Sequence, residues 1–196
     1  MYSIQSASKA IAAQDWQLAE KQLRLLYGKK KYVPEVPYNL ALVVRLKGRP
    51  KEALKILTKT VRQFPDYQQA SFELANTFVE LGSVKEAHIQ LKQHISKWTD
   101  DIDALKLIVR LEINQGNLEF AQQHLEKVQA LLPSTEIEVE YLSAVLNLRF
   151  GKWEEARRQI QNLANLDPSM RPLLLQEVTH SQRGSIPLNP DRLGWE

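Results

Sequence analysis

The chain has 196 residues, of which 43% are hydrophobic and 25% charged, with no cysteine and a net charge of +3. These values are typical of a folded globular protein and exclude a disulfide framework and a thiolate metal site. No apolar run approaches the roughly 20 residues of a membrane-spanning helix, and the first residues do not resemble a secretory signal. We therefore expect a soluble, cytoplasmic protein; if an N-terminal segment was removed, a periplasmic or membrane-anchored location is the alternative.

The charge is unevenly distributed along the chain. Residues 1–65 contain 13 lysines and arginines against 4 aspartates and glutamates, whereas the remainder contains 13 against 19. Glycine is scarce, and leucine, alanine, glutamine, glutamate and lysine are abundant. Because these residues form helices at little entropic cost, the composition predicts an all-helical protein with one basic and one acidic end.

One local arrangement recurs five times. Its marker is an alanine followed four positions later by leucine or isoleucine, and successive alanines are 34, 34, 34 and 35 residues apart. The marker residues are Ala19 and Leu23, Ala53 and Leu57, Ala87 and Leu91, Ala121 and Leu125, and Ala156 and Ile160. A glycine precedes each of the last four alanines by five residues, at Gly48, Gly82, Gly116 and Gly151. This spacing predicts a stack of repeated units.

Each unit is predicted to be a pair of antiparallel helices. Glycine ends the first helix because it adopts a left-handed backbone at little cost. Asp15, Ser83 and Asn117 stand where they can cap a second helix, and Ser83 with Glu86 has the pattern of a capping box. Pro50 occupies a first helical turn, where proline is tolerated. The small alanine lets the two helices approach closely, and the leucine fills the space between them.

This pattern resembles the tetratricopeptide repeat, a 34-residue helical hairpin. The third unit matches best, with Leu74, Ala75, Phe78, Gly82, Ala87 and Leu91 in order. The resemblance implies an all-α, right-handed superhelical solenoid of about five tetratricopeptide hairpins. The predicted repeats are residues 1–33, 34–67, 68–101, 102–135 and 136–168, followed by a capping helix at 169–182 and a C-terminal tail at 183–196.

Two units depart from the pattern. In the fourth, Val109 and Glu112 stand where a small and an aromatic residue are expected. The fifth contains one extra residue, which we place between residues 147 and 151, so that its first helix gains a residue. The first helices of the third and fifth units are predicted to begin near Asp66 and Thr135.

The resemblance also implies a working surface. In tetratricopeptide repeat proteins the first helix of each hairpin lines a concave groove. Carried over by register, the groove positions are Tyr38, Leu42, Arg45, Phe72, Asn76, Val79, Lys106, Arg110 and Ile113. They suggest an aromatic and basic trough for a protein or peptide with negative charge. The alternative is that these residues are only a solvated concave surface or pack on their neighbours. Of the residues with which some family members clamp chaperone tails, only Asn39 is present, so that role is not expected.

The sequence offers little for catalysis. The histidines, His88, His94, His124 and His180, lack the paired spacing of a zinc site, and we interpret His94 as structural. The glycines are isolated, so there is no phosphate loop, and no Gly-x-Ser-x-Gly motif is present. The sequence therefore predicts no enzyme, catalytic residue, metal, cofactor or small-molecule substrate.

A basic run at residues 29–31, near Lys21, Arg24, Lys47, Arg49 and Lys51, is a second candidate surface. Its possible partners are nucleic acid, an anionic membrane or an acidic protein, and the alternative is a solvated loop. Few aromatic residues interleave with the lysines, so nucleic acid is not expected and the solvated loop is favoured.

The predicted function is a non-catalytic scaffold or adaptor that binds a peptide or protein in its groove. Assembly of a multi-protein complex, such as bacterial envelope or pilus machinery, is the expected setting. The alternative is a regulatory or substrate-recruiting region of a larger enzyme. A third hypothesis is a homo-oligomer formed through an exposed terminal repeat.

Overall fold

A computed structural model of the chain describes residues 3–29, 33–134 and 136–179. These residues form helices and turns, with no strand among them. The chain divides into two compact units, residues 1–99 (unit 1) and residues 100–196 (unit 2). The end of the predicted capping helix, residues 180–182, and the predicted tail, residues 183–196, lie outside the described residues.

The described part of each unit is built from helical hairpins. Unit 1 has α1 (Ile4–Ala12), α2 (Trp16–Tyr27), α3 (Glu35–Leu46), α4 (Pro50–Gln63), α5 (Gln68–Glu80) and α6 (Val84–Lys97). Unit 2 has α7 (Ile102–Gln115), α8 (Leu118–Leu131), α9 (Ile137–Arg149), α10 (Trp153–Leu166), a 3₁₀ turn (Pro168–Met170) and α11 (Arg171–Thr179). The helices pack in consecutive pairs: α1 with α2, α3 with α4, α5 with α6, α7 with α8 and α9 with α10. This packing confirms the predicted all-α repeat fold.

The repeated alanines lie where the two helices of a hairpin meet. All five have no exposed surface, and the leucine or isoleucine four residues later is at most 4% exposed. A second small residue stands seven positions before each turn residue from Gly48 onward. These residues are Ala41, Ala75, Val109 and Ala144, and all are fully buried. Val109 therefore fits the position at which the sequence suggested a mismatch.

The turn inside each hairpin has one hydrogen-bond pattern. In the third hairpin the Gly82 N–H donates to the Val79 carbonyl at 2.9 Å, and the Ser83 N–H donates to the Phe78 carbonyl at 2.9 Å. This is the Schellman motif, which places its turn residue in the left-handed region. Gly82 has φ of 71°, and Gln14, which takes the glycine position in the first hairpin, has φ of 56°.

Replacement of Gln14 by glycine is expected to stabilise the protein by about 1 kcal/mol, because a side chain at positive φ costs about that much. The reverse change, Gly82→Ala, is expected to destabilise by a similar amount even though no atom lies within 4 Å of the added Cβ. Denaturant unfolding of the full chain measures both changes. Equal stability of Gln14→Gly and wild type would contradict the left-handed turn at Gln14.

The helix caps agree with prediction only in part. The Asp15 carboxylate accepts the Leu18 N–H at 2.9 Å, as predicted. Ser83 and Asn117 stand at cap positions, but their side chains make no capping hydrogen bond. The Ser83 N–H is already used in the Schellman turn, so the reciprocal bond of a capping box has no donor. The Asn117 amide instead donates to the Gln115 side chain at 3.1 Å.

The extra residue of the fifth repeat lies in a loop, and its predicted position in the helix was wrong. The helices α5, α7 and α9 each begin 14 residues before their turn glycine. Five residues separate the end of α8 from the start of α9, whereas four residues separate α6 from α7. A loop accepts an insertion without disturbing packing, whereas an added helical residue would rotate the apolar face by about 100°.

Two predicted helix starts also shift. The helix α5 begins at Gln68 with Tyr67 as its N-cap, and the Asp66 carboxylate forms an ion pair with Lys97 of α6. The helix α9 begins at Ile137, and Thr135 lies outside the described residues.

Candidate partner-binding surfaces

Six of the predicted groove residues lie on α3 and α5 of unit 1. We call the surface that they form the unit 1 inner face. Its residues are Tyr38, Leu42 and Arg45 of α3 and Phe72, Asn76 and Val79 of α5, and all six are half-buried. The first helices of the second and third hairpins therefore each contribute a row to this face.

The arginine of the unit 1 inner face is already paired. Arg45 Nε lies 2.6 Å from Glu73 Oε1, without the alignment of a hydrogen bond, and Arg45 Nη1 lies 3.2 Å from Glu80. Burial raises the pKa of Glu73, and this effect outweighs the opposing influence of Arg45 and of the Asn76 amide. The Arg45 side chain that the sequence predicted for a partner therefore already lies beside Glu73 and Glu80 of α5.

The aromatic residues of unit 1 are fixed by their neighbours. The Tyr38 and Tyr67 rings meet edge to face with centroids 5.6 Å apart, and burial raises the pKa of Tyr67 to about 12. The Phe72 ring lies 5.9 Å from the fully buried imidazole of His94. His94 Nδ1 is 3.0 Å from the Ser71 hydroxyl, so this histidine is structural, as predicted.

The predicted basic residues of unit 2 are also paired. Lys106 Nζ lies 3.0 Å from Glu138 and 3.3 Å from Glu136, and its side chain is only 12% exposed. Burial lowers the pKa of Lys106, but its hydrogen bonds to the two glutamates outweigh burial and the pKa is raised. Arg110 forms an ion pair with the same Glu138. The α7 cations are therefore neutralised by the start of α9.

A pocket of about 300 Å³ opens between α7, α9 and α11, and we call it the unit 2 pocket. Its lining comprises Arg110, Ile113, Asn114, Tyr141, Leu142, Val145, Leu173 and Glu177. Ile113, Leu142 and Val145 are almost completely buried and form an apolar floor. Leu173 is 43% exposed, so an apolar side chain at the rim is open to solvent.

The charges around the unit 2 pocket balance one another. The Tyr141 hydroxyl donates to Glu177 at 3.1 Å, and Arg149 Nη2 lies 3.2 Å from the same carboxylate. Burial, and then the negative charge of Glu177, raise the pKa of Tyr141 to about 12, so its hydroxyl remains a donor. With Arg110 paired to Glu138, the rim offers little net charge to a ligand.

The sequence identified part of this pocket. It named Arg110 and Ile113 but missed Tyr141, Leu173 and Glu177. The repeat register contained a signal for Tyr141, which precedes its turn glycine by ten residues, as Tyr38 does. No such signal exists for Leu173 and Glu177, because α11 carries no repeat marker.

Part of the second candidate surface from the sequence is an ion-pair network. Glu20 of α2 accepts Arg49 at 2.5 Å, Lys47 at 2.7 Å and Arg24 at 2.7 Å. Three of the basic residues singled out are therefore held within unit 1. Residues 30 and 31 of the lysine run lie outside the described residues.

In residues 3–29, 33–134 and 136–179, no group of three or more histidine, aspartate and glutamate side chains is placed to hold a metal ion. Of the helices described above, none combines the length and the apolar composition that crossing a bilayer requires.

Comparison with known proteins gives family and fold matches. Residues 45–111 match the family model described as tetratricopeptide repeat. No curated protein matches the chain by sequence. A solved tetratricopeptide repeat protein from Parabacteroides merdae ATCC 43184 is similar with a TM-score of 0.77 and 19% identity, over 90% of this chain and 69% of that chain.

Two further solved structures are similar. MamA from Desulfovibrio magneticus RS-1 has a TM-score of 0.74 and 18% identity, over 84% of this chain and 93% of that chain. YrrB, described as a TPR protein with an unusual peptide-binding site, has a TM-score of 0.72 and 18% identity, over 88% of each chain. At these identities the likeness shows the fold alone.

The family match runs from the last turn of α3 into α7 and includes the whole third hairpin, where the sequence markers are clearest. The paired helices, the buried alanines and the repeated Schellman turns extend the same arrangement to the other hairpins. The chain has the tetratricopeptide repeat fold, and residues 45–111 match the family model.

Proposed function

We propose that this chain is a non-catalytic adaptor that binds a peptide or protein partner on the inner sides of its first helices. Tetratricopeptide repeats are generally interaction modules and not enzymes, which supports the proposal. The observation that carries it is the unit 2 pocket, an apolar cavity of about 300 Å³ that opens to solvent on α7, α9 and α11.

The pocket chemistry favours an apolar anchor in the partner. Its floor of Ile113, Leu142 and Val145 is apolar, so a leucine, methionine or phenylalanine side chain can enter without leaving a polar side chain of the floor unpaired. Burial of such a side chain is worth about 1.5–3 kcal/mol. Asn114 at the exposed rim can bond to the backbone of the partner, which would fix the orientation of the peptide.

Negative charge in the partner is a secondary determinant in this proposal. The sequence predicted an acidic ligand from Arg45, Lys106 and Arg110. Each of these side chains is now seen beside a carboxylate of the chain itself. An acidic ligand must compete with Glu138 for Arg110, so its gain is smaller than a free arginine would give.

The cellular setting belongs to the same proposal. A soluble adaptor in the assembly of a multi-protein complex would use the unit 2 pocket to hold one component. A recruiting region of a larger enzyme would use the same pocket to hold a substrate protein, and a native reading frame extending past Glu196 would favour that alternative.

Peptides selected from a random library on the wild-type chain are expected to share one large apolar residue. Leu173→Asp places a charge at the pocket rim and is expected to weaken these peptides at least tenfold, measured by isothermal titration. Leu166→Asp is the matched control, because Leu166 is 71% exposed on α10 of the same unit and is not part of the pocket. It should leave affinity unchanged.

Two further variants separate the surfaces. Arg110→Gln should change the affinity of apolar-anchored peptides little, but weaken peptides selected for acidic residues. Phe72→Ala tests the unit 1 inner face in the same assay. Peptides that bind Leu173→Asp as tightly as the wild type would show that the pocket is not the binding site.

A further inference from the structure

The outward side of the second helices in unit 1 has an unusual charge. Four positions of each second helix point away from the hairpin interior. Counted from the repeated alanine, they are the residue two before it and the residues two, five and nine after it. We call these positions in α2, α4 and α6 the outer ridge. All twelve are exposed, and seven are basic while none is acidic. The basic residues are Lys21, Arg24, Lys51, Lys55, Arg62, Lys85 and Lys92.

The same positions in unit 2 do not repeat this charge. On α8 and α10 they hold three glutamates and a single arginine, Arg158. The fold needs no particular charge there, because these positions make no contribution to the hairpin core. The cations of the outer ridge are therefore a property of unit 1 and not of the repeat.

The outer ridge leaves its central cations available. Lys51, Lys55 and Arg62 lie along one side of α4, spanning about 16 Å at 1.5 Å per residue. No ion pair in the described part of the chain involves these three residues. On α2, by contrast, Arg24 is paired with Glu20 and Glu52. The Arg24–Glu52 pair also joins α2 to α4, so the cations of the two helices lie on one surface.

We propose that the outer ridge docks on an anionic lipid bilayer, with unit 1 lying on the membrane surface. Lys51, Lys55 and Arg62 repel one another along α4, and the acidic headgroups of a bilayer offset that repulsion. Lipid headgroups move laterally to match any cation spacing. The ridge also contains Ile89, which is 59% exposed among the lysines and can enter the headgroup layer.

These features favour lipid over nucleic acid. Proteins that hold single strands stack bases on aromatic side chains, and none of the twelve ridge residues is aromatic. An exposed isoleucine gains nothing from a phosphate backbone but gains from a bilayer. The inference goes beyond the proposed adaptor function, because it uses the opposite side of the hairpins from the inner faces.

Sedimentation of the full chain with vesicles tests the inference. Binding is expected to vesicles of phosphatidylcholine mixed with phosphatidylserine, to be absent with phosphatidylcholine alone, and to fall as salt rises. Each lost cation should lower the partition coefficient about fivefold. Lys21→Gln, Lys51→Gln, Lys55→Gln and Arg62→Gln combined should therefore lower it more than hundredfold.

Matched variants isolate the surface. Lys9→Gln, Lys85→Gln, Lys127→Gln and Arg158→Gln combined remove the same net charge but only one ridge cation, and should lower the partition coefficient only about fivefold. Ile89→Ser should weaken vesicle binding several-fold and leave salt dependence unchanged. Circular dichroism melts of each variant confirm that the helices remain folded.

Four results would overturn the inference. They are absence of preference for phosphatidylserine, full binding by the ridge variant, equal loss in the charge-matched control, and tighter binding to a short DNA strand or duplex than to vesicles. The last result would assign the ridge to nucleic acid. None of these outcomes depends on the unit 2 pocket, so the adaptor proposal is tested separately.

Discussion

His124→Ala is expected to lower the free energy of unfolding by about 3 kcal/mol, because it removes the imidazole that faces a buried carboxyl group. Glu112 has no exposed side-chain surface, and its Oε2 lies 2.8 Å from His124 Nδ1. The pair joins α7 to α8 inside the fourth hairpin. A buried carboxylate that loses such a partner keeps its desolvation cost without the compensating interaction.

The other hairpins supply matched replacements for this pair. At the same two positions the second hairpin has Val44 and Ile56, and the fifth has Asn147 and Gln159, whose side chains are 2.9 Å apart. The double variant Glu112→Val, His124→Ile should therefore recover most of the stability lost by His124→Ala. Urea unfolding of the single and double variants gives the coupling energy of the pair. Additive losses would show that the two side chains do not interact.

Sequence reasoning recovered the repeated parts of the fold because the repeat is a packing rule. An alanine at a helix crossing and a left-handed turn residue are required in every hairpin, so they recur in the sequence at a fixed interval. Residues that are needed in one hairpin only do not recur. Glu112 was therefore seen as a departure from the pattern, but its partner His124, twelve residues away, was not identified.

The candidate site was predictable only where it follows the repeat register. Register placed Arg110 and Ile113 on α7, but it cannot show which side chains are already paired. Whether Arg110 is open to a ligand depends on Glu138, which lies in the next hairpin and reaches it only after folding. Leu173 is contributed by α11, which is outside the repeats. The pairing of Arg110 and the position of Leu173 both depend on tertiary contacts, which the repeat pattern of the sequence does not contain.

Glu20→Gln is expected to lower the free energy of unfolding by about 2 kcal/mol near neutral pH. Glu20 binds Arg24, Lys47 and Arg49, and so ties α2 to the turn between α3 and α4. The hydrogen bond from Arg49 is the largest cause of a pKa of about 2 for Glu20, well below its usual 4.5. The full shift would correspond to about 3 kcal/mol, and the 29–44% exposure of the three cations reduces this through solvent screening.

The pH dependence of this contribution has a definite sign. The folded state holds the Glu20 carboxylate charged to lower pH than the unfolded state does, so the unfolded state binds the extra proton. The stabilisation is complete above a pH of about 4.5 and is lost as the pH falls towards about 2. Unfolding free energies of wild type and Glu20→Gln should therefore differ most near neutral pH and converge near pH 2.

Glu86→Gln is the matched control, because Glu86 is an exposed glutamate in the first turn of α6. Its curve should follow that of the wild type at every pH, apart from a small helix-dipole effect of about 0.5 kcal/mol. A constant gap between wild type and Glu20→Gln down to pH 2 would mean that the charge on Glu20 does not stabilise unit 1. The loss would then have to come from packing of the side chain alone, and the three basic residues around it would be free for a partner.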